Sequence, residues 1–514
     1  MDKKRCFNDR ISTFQRISSI LHHMNDTEFV KIQNIFEKQG LNRWKIALTT
    51  AKERIQKLKK LRDAIVERQN DFYEAVWQDF HKPRFEAWLS EIFPAIEEID
   101  YTISHLKKWM NDKRASKVFF LPTTKSRLHY EPKGRVLIFS PWNYPFLLLV
   151  NPIISAIAAG NVIIAKPSHK TPHVSAVLAK LFRELFPDDE IAIIEGNGSE
   201  IGDKLLALPF DHIFFTGSPK VGAHIAEMAA KQHASITLEL GGKSPAILLP
   251  DVNIKKNIKQ IAWGKTLNAG QTCIAPDYAL CPQDKVQEFA EAFANEIKQM
   301  YGDTDAKRHE SNDIVHIVDK HATERHAALI KDAIAKGATQ IIGGVSDIEN
   351  CYTPITVLTN VTPDMDIMKS EIFGPILPIV AYKTLDEAIQ FVQNRPKPLA
   401  LYIFGKSKSN IDRVLRETTS GSTCVNNTII QIENLDVPFG GVGMSGTGNY
   451  HGFYGFKTFS HERNIMVQKG IDVVTFFHPP YGIIPGNMRS KIQNIAEKAL
   501  RRLKAMQNAA KPRS

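Results

Sequence analysis

Apolar positions along the chain fall into distinct textures. Ile11, Phe14, Ile17 and Leu21, then Phe29, Ile32 and Phe36, recur at roughly helical spacing, which predicts a helical N-terminal extension over residues 1–42. Residues 43–112 keep the helical pattern, with proline only at Lys82-Pro83 and Phe93-Pro94. From Arg135 onward, short β-rich runs appear (VLIF, NVIIA, IAIIEG, HIFFTG, ITLEL), and helix-length polar-faced segments separate the later ones. That rhythm predicts an α/β fold with a parallel, doubly wound sheet. A second α/β set spans about Ser244 to Asn426, with a helix over Lys285–Tyr301 and a strand at TQIIGG. Glycines crowd residues 440–455, an ordered loop region rather than a linker.

The stretch from Pro145 to Ala165 approaches the length of a membrane span, but Pro145, Asn151, Pro152, Gly160 and Asn161 interrupt it. A buried helix running into a buried strand fits it better. Hydrophobic residues make up 43% of the chain and charged residues 24%, the balance of a soluble globular protein. No apolar core follows the charged first residues, so no secretory signal is expected. The five cysteines are scattered and never form a C-x-x-C pair, which argues against a disulfide framework or a metal site and favours the cytoplasm. The net charge of +11 is concentrated at the end: residues 486–514 hold eight Lys or Arg against Glu497 alone. With the rest only mildly basic, a nucleic-acid partner is not expected.

Four segments carry chemistry. Cys273 lies in NAGQTCIAPDY among small and polar neighbours, whereas most lone cysteines sit in apolar cores. Glu239 closes the strand-like ITLEL before a Gly-Gly turn, where a carboxylate can face a cleft as a general base, although a surface charge fits equally well. GGKS is not a phosphate loop, because the required earlier glycine is Thr237. FTGSPKVG joins a β-rich run to a helix; Gly217 and Gly222 would let an anion approach the helix start, or merely punctuate a turn. Lys166 follows another strand, at the face where open α/β sheets bind ligands.

Taken together, FSPWNYPF, AGNVIIAKPS, FFTGSPKVG, LELGGKSP, NAGQTCIAPDY, EIFGPILP and PFGGVGMSG resemble the aldehyde dehydrogenase superfamily in order and spacing, over about residues 43–465. EAWLSEIFPAIEEIDYTISHLKKW and RPKPLALYIFG are similar to its class 3 branch, which includes fatty, aromatic and coniferyl aldehyde dehydrogenases. The resemblance implies a Rossmann-type cofactor domain (43–237), an α/β catalytic domain (238–427) and a return segment (428–470). It also implies a small β arm, drawing on 118–134 and on the segment after Gly455, that makes a homodimer. Cys273 would attack the aldehyde as thiolate, and Asn143 with the Cys273 amide would hold the oxyanion. Hydride transfer to a nicotinamide would leave a thioester, which Glu239 would help water to hydrolyse. Lys166 is implied at the adenosine ribose, Gly217, Ser218, Val221 and Gly222 near the pyrophosphate, and Glu371 and Phe373 at the nicotinamide ribose and ring.

One position departs from the pattern. NAD-specific members commonly carry Glu three residues after the lysine of the KP pair, and here His169 stands there. Loss of that carboxylate leaves NAD or NADP as cofactor, with NADP expected to gain as pH falls and the imidazole protonates. Related enzymes that reduce acyl phosphates or acyl-CoA need no hydrolytic base, so Glu239 argues against them. A catalytically idle scaffold is disfavoured by the joint presence of Cys273, Asn143 and Glu239. In the basic tail (471–514), Ile492, Ile495, Ala499, Leu503 and Met506 line one helical face. That helix reads equally as one docked on the protein or as an interfacial helix giving peripheral membrane contact.

Overall fold

The computed structural model describes residues 26–118, 121, 123–470, 472, 478–479 and 486–509. The expected helix over Ile11–Leu21 and the aromatic run VVTFFHPPYGIIP lie outside them, apart from His478 and Pro479. Phe29, Ile32 and Phe36 do share a helix, but it runs Asp26–Ala47 and belongs to the body. Ile32 and Phe36 join a buried cluster with Leu137, Ile164 and Ile213. Gln39 Nε2 donates to the main-chain oxygens of Ile163 (2.9 Å) and Asp188 (3.0 Å). An extension ending at residue 42 is therefore corrected, because the apolar face that predicts the helix is spent on the first sheet. The next helix, Ala51–Phe80, starts at a capping box in which Thr50 and Glu53 each accept the other's backbone N–H.

Two sheets organise the larger of the chain's two units, made of the described residues up to Met110 and Tyr130–His461. In the six-stranded sheet the order is Gly446–Thr447, Ser235–Leu240, His212–Gly217, Arg135–Phe139, Val162–Lys166, Ile191–Ile193. All neighbours are parallel except the short edge strand Gly446–Thr447. The seven-stranded sheet runs Thr339–Ile342, Thr356–Thr359, Ile376–Tyr382, Tyr278–Pro282, Pro245–Leu248, Ala400–Phe404, Ser422–Val425, antiparallel only at its first pair. A domain boundary between 237 and 238 would cut strand Ser235–Leu240. Glu239 belongs to the first sheet, and the chain leaves that sheet at Gly241. The apolar stretch after Pro145 becomes the wholly buried helix Leu147–Ala159 and then strand Val162–Lys166.

The second unit comprises Asn111–His129 and the described residues from Glu462. It contains most of a three-stranded sheet of Lys113–Arg114, Thr124–Pro132 and Ser460–Gln468, so the arm begins at Lys113, before the expected 118. It also contains the helix Gly486–Ala509. Among the described residues no helix is long and apolar enough to cross a membrane.

Candidate active site

Strand Arg135–Phe139 has a strand later in sequence on each side: Val162–Lys166 on one, His212–Gly217 on the other. Successive crossovers thus leave it in opposite directions, which opens a crevice beyond the carboxyl ends of these strands. Lys166, the last residue of its strand, is buried, and its Nζ donates to the oxygens of Gly196 (2.9 Å) and Pro167 (3.2 Å). Burial pushes its amine down to about 8. Gly217 ends the neighbouring strand, and Ser218 caps the thirteen-residue helix Pro219–Lys231 by accepting from Val221 N. Val221 is exposed at that helix start. A Cβ on Gly222 would come 2.6 Å from Leu240, so only glycine lets helix and strand pack this closely.

His169 stands beside this crevice with its Nδ1 accepting from Gly198 N at 3.4 Å. Partial burial, then the Lys166 and Lys170 ammonium groups, hold its imidazole below the usual value. Protonation of His169 is thereby displaced toward lower pH, and the expected rise in NADP use moves down with it.

Glu239 is the penultimate residue of its strand, in register with Thr216 on one side and Gly446 on the other. It is 3% exposed, and neither carboxyl oxygen has a hydrogen-bond partner. Burial pushes the carboxyl well above the ordinary range. An orphaned buried acid is uncommon and marks a place where a water or a reacting group is received.

Cys273 follows the helix Ile254–Thr266 through the turn Leu267–Gly270. Asn268, Ala269 and Gly270 all have positive φ (54°, 52°, 72°), and a Cβ on Gly270 would meet Gly374 O at 2.4 Å. The Cys273 side chain is half-buried. Burial, then Glu371 and Glu239, push its thiol up to about 12, while the amides of Cys273 and Ile274 face the sulfur and pull the other way. Asn143 Nδ2 donates to Gln271 O (2.9 Å), and Tyr144 Oη bonds Thr272 Oγ1 (2.6 Å), so the turn after the first strand is tied directly to the cysteine loop.

Glu371 and Phe373 enter from the second sheet's side. Lys243 Nζ donates to the oxygens of Ile367 (2.8 Å) and Ser370 (3.0 Å) and pairs with Asp277, which accepts Ile372 N at 2.9 Å. Arg325 and His326 bond the main-chain oxygen of Ile372 from the other side. This clamp leaves the Glu371 side chain half-buried, its carboxyl pushed up to about 8 by desolvation and then by Asp277. A Cβ on Gly241 would lie 2.0 Å from its Oε2, so the glycine after the Glu239 strand leaves room for this carboxyl. Phe373, at φ 51°, meets Trp142 edge-to-face with centroids 5.4 Å apart.

All three expected reacting residues thus converge, and Glu371 reaches the same cysteine. Segment 82–91 offers no candidate at the sequence level, yet Lys82, Glu86 and Glu91 bond the main chain at Asn143, Asn268 and Phe146. Their only sequence signal is a charged triad inside a strongly helical stretch, which also describes any solvated helix face. Lys243 and Asp277 sit inside the motifs around Glu239 and Cys273, but nothing local says that they meet.

The sequence model of the aldehyde dehydrogenase family matches residues 21–465. The 4,4'-diaponeurosporen-aldehyde dehydrogenase of Staphylococcus aureus is 41% identical over 83% of this chain and 92% of its own length. Aldehyde dehydrogenase family 3 member A2 of Rattus norvegicus is 39% identical over 83% and 87%. A substrate-bound structure of Staphylococcus aureus AldH superposes with a TM-score of 0.85 at 38% identity, covering 91% of this chain and all of that one. An NAD+ complex of the aldehyde dehydrogenase from Bacillus cereus gives 0.78 at 27%, over 86% and 89%. With that crevice, that buried acid and that cysteine on one pair of sheets, the chain belongs to the aldehyde dehydrogenase family, in its class 3-like branch, and oxidises an aldehyde to the carboxylic acid with NAD or NADP.

Proposed function

We propose that Cys273 is the nucleophile, Glu239 the base and Asn143 the oxyanion donor of this oxidation. The observation that carries the reading is the buried Glu239 carboxyl, unpartnered and close enough to raise the Cys273 thiol. Glu239 takes the thiol proton, and sulfur adds to the aldehyde carbon to give a thiohemiacetal. Asn143 Nδ2 and the Cys273 N–H hold the oxygen, whose charge is largest as the carbon becomes tetrahedral. The bound nicotinamide supplies the hydride acceptor. Once Glu239 has passed the thiol proton to solvent, its carboxylate deprotonates a water for attack on the Cys273 thioester, the C–S bond breaks, and the acid leaves as the sulfur keeps the electron pair.

NAD or NADP fits the residues at hand. Lys166 and His169 would meet the adenosine ribose, and the helix start from Gly217 through Ser218 and Val221 to Gly222 would take the pyrophosphate. Glu371, in the space that Gly241 leaves open, would hold the nicotinamide ribose, and Phe373 would flank the ring. Because His169 protonates at lower pH than a free imidazole, any gain of NADP over NAD in kcat/KM is expected toward the acid end of the range from about pH 6 to 8 or below it. His169→Glu should lower kcat/KM for NADP about 10-fold or more while sparing NAD, since a carboxylate repels a 2′-phosphate. Following reduced-cofactor absorbance with a panel of aldehydes checks both points, and a strong NAD preference that does not move with pH would remove the imidazole from cofactor choice.

The three-stranded arm supports a homodimer, with strand Ser460–Gln468 at the sheet's edge and Met466 and Val467 exposed on it. The helix Gly486–Ala509 supports a peripheral membrane contact: Lys491, Lys498, Arg501, Arg502 and Lys504 are exposed, and so is Ile495. Each such charge near an anionic surface contributes about 1 kcal/mol. Full-length protein should co-sediment with anionic but not neutral vesicles at low salt, and a chain ending at Pro485 should lose that binding. Equal sedimentation of the two would make the tail a docked helix instead.

A further inference from the structure

Segment 82–91 lies between the two halves of the oxyanion site. It follows His81, which has a left-handed φ of 54°, and passes through the helical turn Arg84–Ala87 into a wider π turn, Trp88–Ile92. Such widened turns shift which residues face inward and recur at functional sites. Lys82 and Glu91 are both fully buried and pair at 2.6 Å. A buried ion pair is a poor source of stability, because desolvating both charges offsets their attraction. What these two do is hold main-chain atoms. Lys82 Nζ donates to Asn143 O (3.3 Å) and lies 4.2 Å from the centroid of the Tyr144 ring. Glu91 Oε2 accepts Phe146 N (2.9 Å).

The same segment reaches the cysteine loop. Glu86 Oε1 accepts Asn268 N at 2.8 Å, at the first of the three positive-φ residues that precede Gln271. Two successive non-glycine residues in the left-handed region persist only where their surroundings impose them. Asn268 Nδ2 in turn donates to Asn143 O (2.8 Å) and Gln271 O (3.1 Å). Asn143 O is thus shared between Lys82 and Asn268, and Asn268 is anchored by Glu86.

We propose that segment 82–91 is a positioning clamp for the oxyanion site: Lys82 and Glu91 set the Asn143 turn, and Glu86 sets the loop that presents Cys273. None of the three contacts the aldehyde. The inference rests on the reading of Asn143 and Cys273 given above, and that reading is tested separately by the loss of activity in Cys273→Ala. Glu86→Leu removes the acceptor for Asn268 N, whereas Glu86→Gln keeps an amide oxygen in its place. With benzaldehyde and hexanal as substrates, Glu86→Leu should lower kcat about 10- to 100-fold, the scale of a slightly misplaced reacting group. KM for NAD should be unchanged, and the amides of residues 268–270 should exchange hydrogen faster. Glu86→Gln should keep most of kcat. The double variant Lys82→Met, Glu91→Leu covers the case in which Glu86→Leu does not fold, since apolar residues of similar size replace a buried pair with little loss of stability. It should stay folded but melt lower, because Phe146 N loses its acceptor, and show a comparable fall in kcat. The clamp is overturned if either folded variant keeps full kcat, or if Glu86→Gln loses as much as Glu86→Leu.

Discussion

Cys273→Ala is expected to abolish aldehyde oxidation while leaving the melting temperature nearly unchanged. Without the sulfur no covalent adduct forms, and no other described cysteine is placed to replace it. Cys281 is fully buried in strand Tyr278–Pro282, and Cys424 lies in strand Ser422–Val425 of the second sheet. Cys351 sits in the turn after Asp347, outside the loop that carries Cys273. The sulfur's environment shows why its loss cannot be mimicked by solvent. A thiol pushed up to about 12 is protonated at neutral pH, so it is inert until a neighbouring base takes its proton in the site. Production of reduced cofactor by purified Cys273→Ala is the measurement. Near-normal rates would end the covalent mechanism.

Glu239→Gln comes next in size, with turnover expected to fall by about 10²–10⁴. The amide matches the carboxyl in volume, so the strand should be undisturbed. It accepts no proton, however, either from the thiol or from water. If hydrolysis is the step that suffers most, rapid mixing should show a burst of reduced cofactor followed by slow turnover as thioester accumulates. The pH profile adds a second check. Because burial raises the Glu239 carboxyl well above the ordinary range, the base is lost by protonation as pH falls through that raised value. The acid limb of kcat should therefore lie well above pH 4.5 in the unmodified enzyme and be absent in Glu239→Gln. A limb that persists in the variant would assign it to another group.

What was legible in the sequence was what is local. Runs such as NVIIA and HIFFTG state their strands outright, because a strand buried on both faces needs an unbroken apolar run. Cys273, Glu239 and Asn143 lie within short ordered motifs. Less visible was where one sheet stops and the next begins: ITLEL runs straight into LELGGKSP, and only strand pairing shows that Glu239 stays with the first sheet. The apolar face of Phe29, Ile32 and Phe36 gives the helix but not its partner, since any apolar surface satisfies such a face. The environment of His169 was illegible for a similar reason. Its lowered basicity comes partly from the neighbouring Lys166 and Lys170 and partly from burial beside Gly198, a feature of tertiary structure. Segment 82–91 was illegible because side chain-to-main-chain bonds leave no periodic trace.

The edge strand Gly446–Thr447 has a consequence for how the molecule is made. Five strands of the first sheet are complete by Leu240, but the outer side of Ser235–Leu240 is paired only by residues some two hundred positions further on. At ribosomal rates of about 5–20 residues per second, that edge stays open for roughly 10–40 seconds. During this time a buried-type strand carrying Glu239 presents free amides and carbonyls to other nascent chains, the situation in which β-edges aggregate. Glycines at 446 and 448, which carry no side chain to misplace, let the returning segment seat late against a sheet already formed. Chains released before residue 447 would keep that edge open permanently, so truncation short of it should yield aggregates rather than a stable cofactor domain.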